Sequence, residues 1–233
     1  MSIWSRISAA LAALAQGEPL SVVFDRLRGT PEMSVSFTIA VIALGAKLAK
    51  ADGEVTRDEV ACFRQIFTIP PGEEANAARV YNLARQDVAG FDHYARKIRA
   101  LFGDGHEDVL TDLLEALFRI AIADGGYHEA EDAFLAHVAQ EFGLDERVFR
   151  TVRARSVEGA PQDPYDVLAV PPDAAMDDIR AAWKRAVRDT HPDALTARGL
   201  PPEAVRLAET RLVAINRAWE EIQAARSPRA LPA

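Results

Sequence analysis

The chain has 233 residues, a formal net charge of −8 and a sequence pI of about 5.2. Its length suits two domains of ordinary size, and an acidic chain is not expected to bind nucleic acid. The single cysteine excludes an internal disulfide and a multi-cysteine zinc site. It fits a reducing compartment, so we expect a cytoplasmic protein. Because Val, Ile and Thr never form alternating runs, an all-α fold is favoured.

Two apolar segments near the N-terminus bear on membrane contact. Residues 1–29 contain apolar positions that share one helical face: Ile3, Ile7, Leu11 and Leu14. This amphipathic segment predicts a helix that docks on the following domain, or alternatively a weak peripheral membrane anchor without the usual Lys/Arg face. The stretch 33–46 has 14 residues before Lys47. Since a membrane span needs about 20 residues, we predict a buried core helix there and no membrane span.

An acidic turn occurs twice in the domain that we predict at 30–155. The segment "AKADGEVTRDEVACF" (49–63) aligns with "AIADGGYHEAEDAFL" (121–135), and in each an Asp is followed seven residues later by a Glu. Each turn lies between two predicted helices, and its glycine suits the left-handed position that ends a helix. The residues concerned are Asp52, Gly53 and Glu59 in the first copy, and Asp124, Gly125 and Glu131 in the second.

Three interpretations of these carboxylates remain open. The first is helix capping, because Thr56 and Glu59 form a capping box, of which His128 and Glu131 keep only part. The second is a divalent-cation site, such as a calcium site, formed by Asp52, Glu59, Asp124 and Glu131. The third is an acidic patch that binds a partner. Each turn has fewer acidic residues than an EF-hand loop, which argues against that particular calcium motif.

On the basis of the two Ala-Asp-Gly turns, their downstream glutamates and the apolar helices before them, residues 30–152 resemble the TerB-like (tellurite-resistance) helical domain. The resemblance implies an all-α bundle with an acidic site that is a candidate for metal binding. The matching positions are the four carboxylates named above. Since the biochemical role of this family is poorly defined, the resemblance implies a fold more than a function.

A linker is predicted at 156–162, where Gly, Pro and polar residues interrupt the helical pattern. It separates the N-terminal domain from a C-terminal unit at 163–226. The tail 227–233, "SPRALPA", is too short and too rich in proline to fold, so we expect it to be disordered.

The C-terminal unit reads as a short turn or helix followed by two longer helices. "DPYDVLAV" (163–170) supplies Tyr165 and Leu168 to a core. A helix at 176–190 has an apolar stripe formed by Met176, Ile179, Trp183, Ala186 and Val187. The helix after "GLPP" has apolar residues three and four positions apart: Val205, Ala208, Leu212, Ile215, Trp219 and Ile222. Two such helices, joined by a loop, predict an antiparallel hairpin.

The loop of this hairpin carries the triplet His191-Pro192-Asp193. Pro192 ends the helix and favours an extended conformation of His191, so the triplet is displayed at a helix end. A basic ridge precedes it on one helix face, formed by Arg180, Lys184 and Arg188, with Arg185 beside it. The alternative interpretation is a solvated helix face that ends in a proline turn.

Through "YDVLAV", "IRAAWKRAVRDTHPD" and "AINRAWEEI", residues 163–226 resemble the J domain of DnaJ-type co-chaperones. The resemblance implies that the triplet and the basic helix engage an ATP-bound heat-shock chaperone of the DnaK class and stimulate its ATP hydrolysis. The chain itself is then not an enzyme. The implied chaperone-binding residues are Arg180, Lys184, Arg185, Arg188, His191, Pro192 and Asp193.

This sequence departs from the J-domain pattern at four positions. Ala169 stands where the family usually has Gly, and Trp183 stands where it usually has Tyr. Ala194 replaces the basic residue that commonly follows the triplet, and Asp189 lowers the positive charge just before it. We expect the fold to tolerate these changes and the coupling to the chaperone to be weaker or more selective.

A TerB-like domain followed by a C-terminal J domain matches the DjlA-like arrangement of bacterial co-chaperones. Those proteins typically begin with a membrane-spanning segment, which this sequence does not show. The leading hypothesis is an adaptor whose J domain activates a DnaK-class ATPase while the acidic domain selects a location or an unknown client. The alternative is an acidic metal- or partner-binding module with an inactive J domain.

Overall fold

The computed structural model describes most of the chain in two compact units that divide near residue 160. The described residues are 30–49, 57–66, 72, 74–86, 90–103, 105–157 and 162–226. Across these ranges the regular elements are all helices, which confirms the all-α class. The predicted amphipathic segment at 1–29 and the predicted tail at 227–233 lie outside them.

The described part of the first unit is a bundle of helices. Their bounds are α1 Thr30–Leu48, α2 Arg57–Ile66, α3 Glu74–Gln86, α4 Phe91–Phe102, α5 Glu107–Ala121, α6 Glu129–Glu141 and α7 Glu146–Val157. Helix α1 packs against α3 and α4, while α5 packs against α2 and α7. Since α7 continues to Val157, the first two residues of the predicted linker, Ser156 and Val157, are helical, and the linker prediction was wrong there.

Helix α1 is the central element of this bundle. Every side chain that the structure describes between residues 36 and 46 is buried, which confirms the predicted core helix. Gly45 leaves room for the side chain of Phe63 on α2, because a Cβ atom at residue 45 would lie 2.9 Å from the Phe63 ring. Phe37 and Phe102 meet edge to face with 5.4 Å between ring centroids. Among the helices described, none is long and apolar enough to cross a membrane.

The second unit contains α8 Pro164–Val167, α9 Met176–Thr190, α10 Pro192–Ala197 and α11 Pro202–Arg226. The two long helices share one apolar cluster, whose buried members are Leu168, Ile179, Ile215, Ala218, Trp219 and Ile222. Partly buried side chains of the predicted stripe pack against this cluster: Met176, Trp183, Ala186 and Val187. The connection predicted as a plain loop contains the short helix α10, which the sequence interpretation had missed.

Candidate functional site

The His-Pro-Asp triplet joins α9 to α10. His191 has φ −61° and ψ 135°, so the extended conformation predicted from the following proline is confirmed. Its Nδ1 accepts a hydrogen bond from the backbone N–H of Asp193 at 3.2 Å, which makes His191 the N-cap of α10. Pro192 follows at the first position of α10. A backbone N–H at this position has no acceptor within a helix, so proline, which lacks the N–H, is well tolerated there.

The triplet presents two polar side chains to solvent. The His191 side chain is 51% exposed and the Asp193 side chain is 94% exposed, with 3.7 Å between His191 Nδ1 and Asp193 Oδ2. Because Nδ1 accepts the capping bond, a neutral His191 ring carries its proton on Nε2. The Asp193 carboxylate is therefore accessible, and its backbone is held at the start of a helix.

The predicted basic ridge lies on one uninterrupted helix. Its three cations and the neighbouring Arg185 occupy exposed positions on α9: Arg180, Lys184, Arg185 and Arg188. Within the described residues, Lys184, Arg185 and Arg188 form no ion pair with any carboxylate. None of these three side chains is held in an ion pair in the described part of the chain, so all three remain accessible to a partner, and the ridge runs along α9 toward the triplet.

Arg180 differs from the other three cations because an aromatic ring lies beside it. Its Cζ is 5.8 Å from the centroid of the Trp219 ring. Trp219 stacks on Trp183, with 5.1 Å between ring centroids and 13° between ring planes. The indole N–H of Trp183 donates to Oδ1 of Asn216 at 3.1 Å. Both tryptophans are predicted in the core from their spacing, whereas Asn216 is not predicted. The signal that could have found Asn216 is the need of a buried indole N–H for an acceptor.

Arg226, at the end of α11, ties the two ends of this unit together. Its Nε donates to the phenolic oxygen of Tyr165 at 3.0 Å, and its Nη1 donates to the carbonyl of Ala174 at 2.6 Å. Its Nη2 donates to the carbonyl of Pro172. The guanidinium also lies 5.3 Å from the centroid of the Tyr165 ring. Arg226 thereby fixes α8 and the segment before α9, a role that the sequence pattern does not predict.

Ala169 lies in the left-handed region of backbone conformation. Its φ of 52° is the only positive φ of a non-glycine residue in the described part of the chain. The Ala169 N–H donates to Asp166 O at 3.1 Å and the Val170 N–H to Tyr165 O at 3.0 Å, which closes the end of α8. The position where J domains usually have Gly thus needs a conformation that costs an alanine about 1 kcal/mol.

The second acidic turn is described, whereas Asp52 and the Glu59 side chain lie outside the described part of the structure. Glu131 is 2% exposed, and its Oε2 accepts from the backbone N–H of His128 at 2.9 Å, which confirms this half of the capping box. Asp124 Oδ1 accepts from the Gly126 N–H at 3.0 Å. The left-handed position predicted for Gly125 is confirmed by its φ of 87°.

The predicted cation site needs carboxylates from both acidic turns. Where the structure is described, no group of three or more His, Cys, Asp or Glu side chains is placed to hold a metal ion. Since half of the predicted ligands fall outside that part, a divalent-cation site at Asp52, Glu59, Asp124 and Glu131 stays a prediction. The two described carboxylates already accept hydrogen bonds from the backbone.

Comparison with known protein families identifies both units. Residues 38–154, half of the chain, match the family described as tellurite resistance protein TerB. The chain belongs to this family. Residues 163–228 match the DnaJ domain, so a J domain follows the TerB domain. Both resemblances drawn from the sequence are confirmed.

Curated relatives share both units. The chain is similar to the co-chaperone protein DjlA of Aliivibrio fischeri, with 26% identity over 225 residues that cover 82% of this chain and 79% of that protein. DjlA of Coxiella burnetii is 29% identical over 202 residues, covering 77% and 74%. DjlA of Escherichia coli K12 is 23% identical over an alignment of 267 residues, covering 96% and 98%. No solved structure matches the chain.

Proposed function

We propose that this chain is a co-chaperone whose J domain docks on a DnaK-class heat-shock chaperone and stimulates its ATP hydrolysis. The observation that carries the proposal is the exposed Asp193 carboxylate at the end of a ridge of exposed cations, which form no ion pair among the described residues. The J-domain match and the DjlA relatives support the same role.

Electrostatics act first in the proposed encounter. The exposed cations of α9 attract an acidic surface of the chaperone over a distance of about 8–10 Å at physiological salt, and so raise the association rate. Asp189 lies on the same helix and opposes this attraction. The encounter therefore favours a chaperone whose surface complements the cations without contacting Asp189.

The triplet then makes the specific contact. Asp193 accepts a charge-assisted hydrogen bond from an Arg or Lys of the chaperone. His191 holds the Asp193 backbone through the capping bond, so the carboxylate is presented from a fixed helix end. Catalysis takes place at the ATP site of the chaperone. The J domain favours the hydrolysis-competent state of the chaperone by binding that state more tightly.

The TerB domain selects a location or a client in this proposal. Its acidic surface includes the first turn of α6, where Glu129 is exposed, while Asp132 in the same turn already pairs with Arg153. A basic client segment is the complementary partner.

Asp193→Asn tests the docking proposal, because it removes the charge and keeps the side-chain shape. We expect the affinity for the ATP-bound chaperone to fall at least about tenfold, since a charge-assisted bond to a docked partner is lost. The matched control is Asp173→Asn, which removes the same charge from an exposed position of the same unit outside the triplet. Equal affinities of Asp193→Asn and Asp173→Asn in surface-binding measurements would count against the proposal.

A further inference from the structure

We propose that Trp219 is a positioning residue for chaperone docking: it holds the Arg180 guanidinium in place on the docking face. This inference rests on the proposed co-chaperone function. It assigns to a core residue, which the chaperone does not touch, a role in binding affinity.

The Trp219 ring is held firmly. Trp219 is 8% exposed and belongs to the apolar cluster shared by α9 and α11. Trp183 covers it with nearly parallel planes, 13° apart. Trp183 is in turn fixed by its 3.1 Å hydrogen bond to Asn216. Two helices and one hydrogen bond therefore fix the orientation of the ring that faces Arg180.

The fixed Trp219 ring restricts the position of the Arg180 guanidinium, whereas the neighbouring cations have no ring beside them among the described residues. A free arginine side chain samples many rotamers, and ordering such a side chain at an interface has an entropic cost. The Arg180 Cζ lies 5.8 Å from the Trp219 centroid, within range for a cation–π interaction, and tryptophan is the best aromatic partner for it. The Arg180 side chain is thus partly ordered before the chaperone binds, so less entropy is lost on binding.

The contact with the Trp219 ring also leaves the hydrogen-bond donors of Arg180 available to a partner. A guanidinium that lies over a ring keeps its N–H donors at its edge, where they can form two parallel hydrogen bonds with a carboxylate. The matching group on the chaperone is therefore an Asp or Glu side chain. Lys184 and Arg188, which are exposed on the same helix, show no such aromatic contact within the described residues, so they contribute charge without a preset position.

A double-mutant cycle on the full chain tests the inference. Arg180→Ala is measured in the parent chain and in a Trp219→Leu background, with the dissociation constant for the ATP-bound chaperone as the readout. We expect Arg180→Ala to cost about two- to fivefold less affinity in the Trp219→Leu background, the factor that corresponds to an exposed cation–π interaction. Circular dichroism verifies that each variant is folded.

Arg188→Ala is the matched control, because it removes a cation from the same helix that has no aromatic contact in the described structure. Its cost should be the same in both backgrounds, whereas a general loss of J-domain structure would change both costs. If Trp219→Leu does not fold, Trp219→Phe retains an aromatic core and should give a smaller coupling of the same sign. Equal costs of Arg180→Ala in the parent and in the folded Trp219 variant would overturn the inference alone. A parent chain that does not bind the chaperone would overturn the proposed function as well.

Discussion

Nε of Arg226 donates a 3.0 Å hydrogen bond to the phenolic oxygen of Tyr165, 61 residues earlier in the chain. This contact joins the last turn of α11 to α8, the first helix of the J domain. Two further bonds from the same guanidinium reach the carbonyls of Pro172 and Ala174. A single side chain thus fastens the start of the J domain to its end.

Arg226→Met should destabilise the J domain. The substitution keeps much of the aliphatic side chain and removes the three hydrogen bonds, so we expect a loss of about 1–3 kcal/mol in the free energy of unfolding. Urea unfolding measures it. Arg217→Met is the matched control on the same helix, because Arg217 is 79% exposed and pairs only with Glu221 among the described residues, and it should change stability by no more than about 0.5 kcal/mol. Equal effects of the two substitutions contradict the assigned role of Arg226.

Ala169→Gly should stabilise the same domain. Glycine adopts a φ of 52° without the steric cost that an alanine Cβ incurs, and this gain exceeds the extra entropy of glycine in the unfolded chain. We expect a gain of about 0.5–1 kcal/mol in thermal unfolding measurements. Ala181→Gly, at an exposed position inside α9, should do the opposite and cost about 1 kcal/mol. The same sign for both substitutions contradicts the backbone argument.

Tyr127 should make the TerB domain sensitive to alkaline pH. Burial and its 2.9 Å hydrogen bond to Asp132 raise the pKa of Tyr127 far above the usual value near 10. The unfolded chain therefore ionises Tyr127 first, so the stability contributed below about pH 10 is lost as the pH rises above that value. We expect Tyr127→Phe to make the decline in unfolding free energy above pH 10 less steep. An unchanged slope contradicts the assigned environment of the phenol.

Calcium binding distinguishes the interpretations of the acidic turns. Because Asp124 and Glu131 already accept backbone hydrogen bonds, we expect calorimetric titration of calcium into the full chain to give no binding heat and no rise in the melting temperature. Saturable heat that Glu131→Gln abolishes would instead establish the predicted cation site. The variant retains an acceptor oxygen for the His128 N–H, so it separates ligation from helix capping.

The features that could be predicted from the sequence are those set by residues close together in the chain. The stripe from Met176 to Val187 follows from helical spacing, and the extended conformation of His191 follows from Pro192. Contacts between distant residues were missed. Nothing in the spacing of Arg226 or Asn216 indicates that their partners are Tyr165 and Trp183, because those pairs meet only after α9 and α11 have packed.

Helix α10 was missed for a different reason. The segment after the triplet is short and contains Gly199 and two prolines, which favours a loop by composition. The capping bond from Asp193 to His191 and the proline at the first position nonetheless start one and a half turns of helix. The identity of the triplet was thus predictable, whereas the helix that presents it was not.

Single-turnover ATP hydrolysis by the cognate DnaK-class chaperone tests the central claim most directly. The rate is measured with the chaperone alone, with the intact protein and with its His191→Gln variant. We predict stimulation by the intact protein and its loss in the variant, since glutamine does not reproduce the imidazole cap that holds Asp193. No stimulation by the folded, intact protein would contradict the co-chaperone assignment and leave the TerB domain as the functional half of the chain.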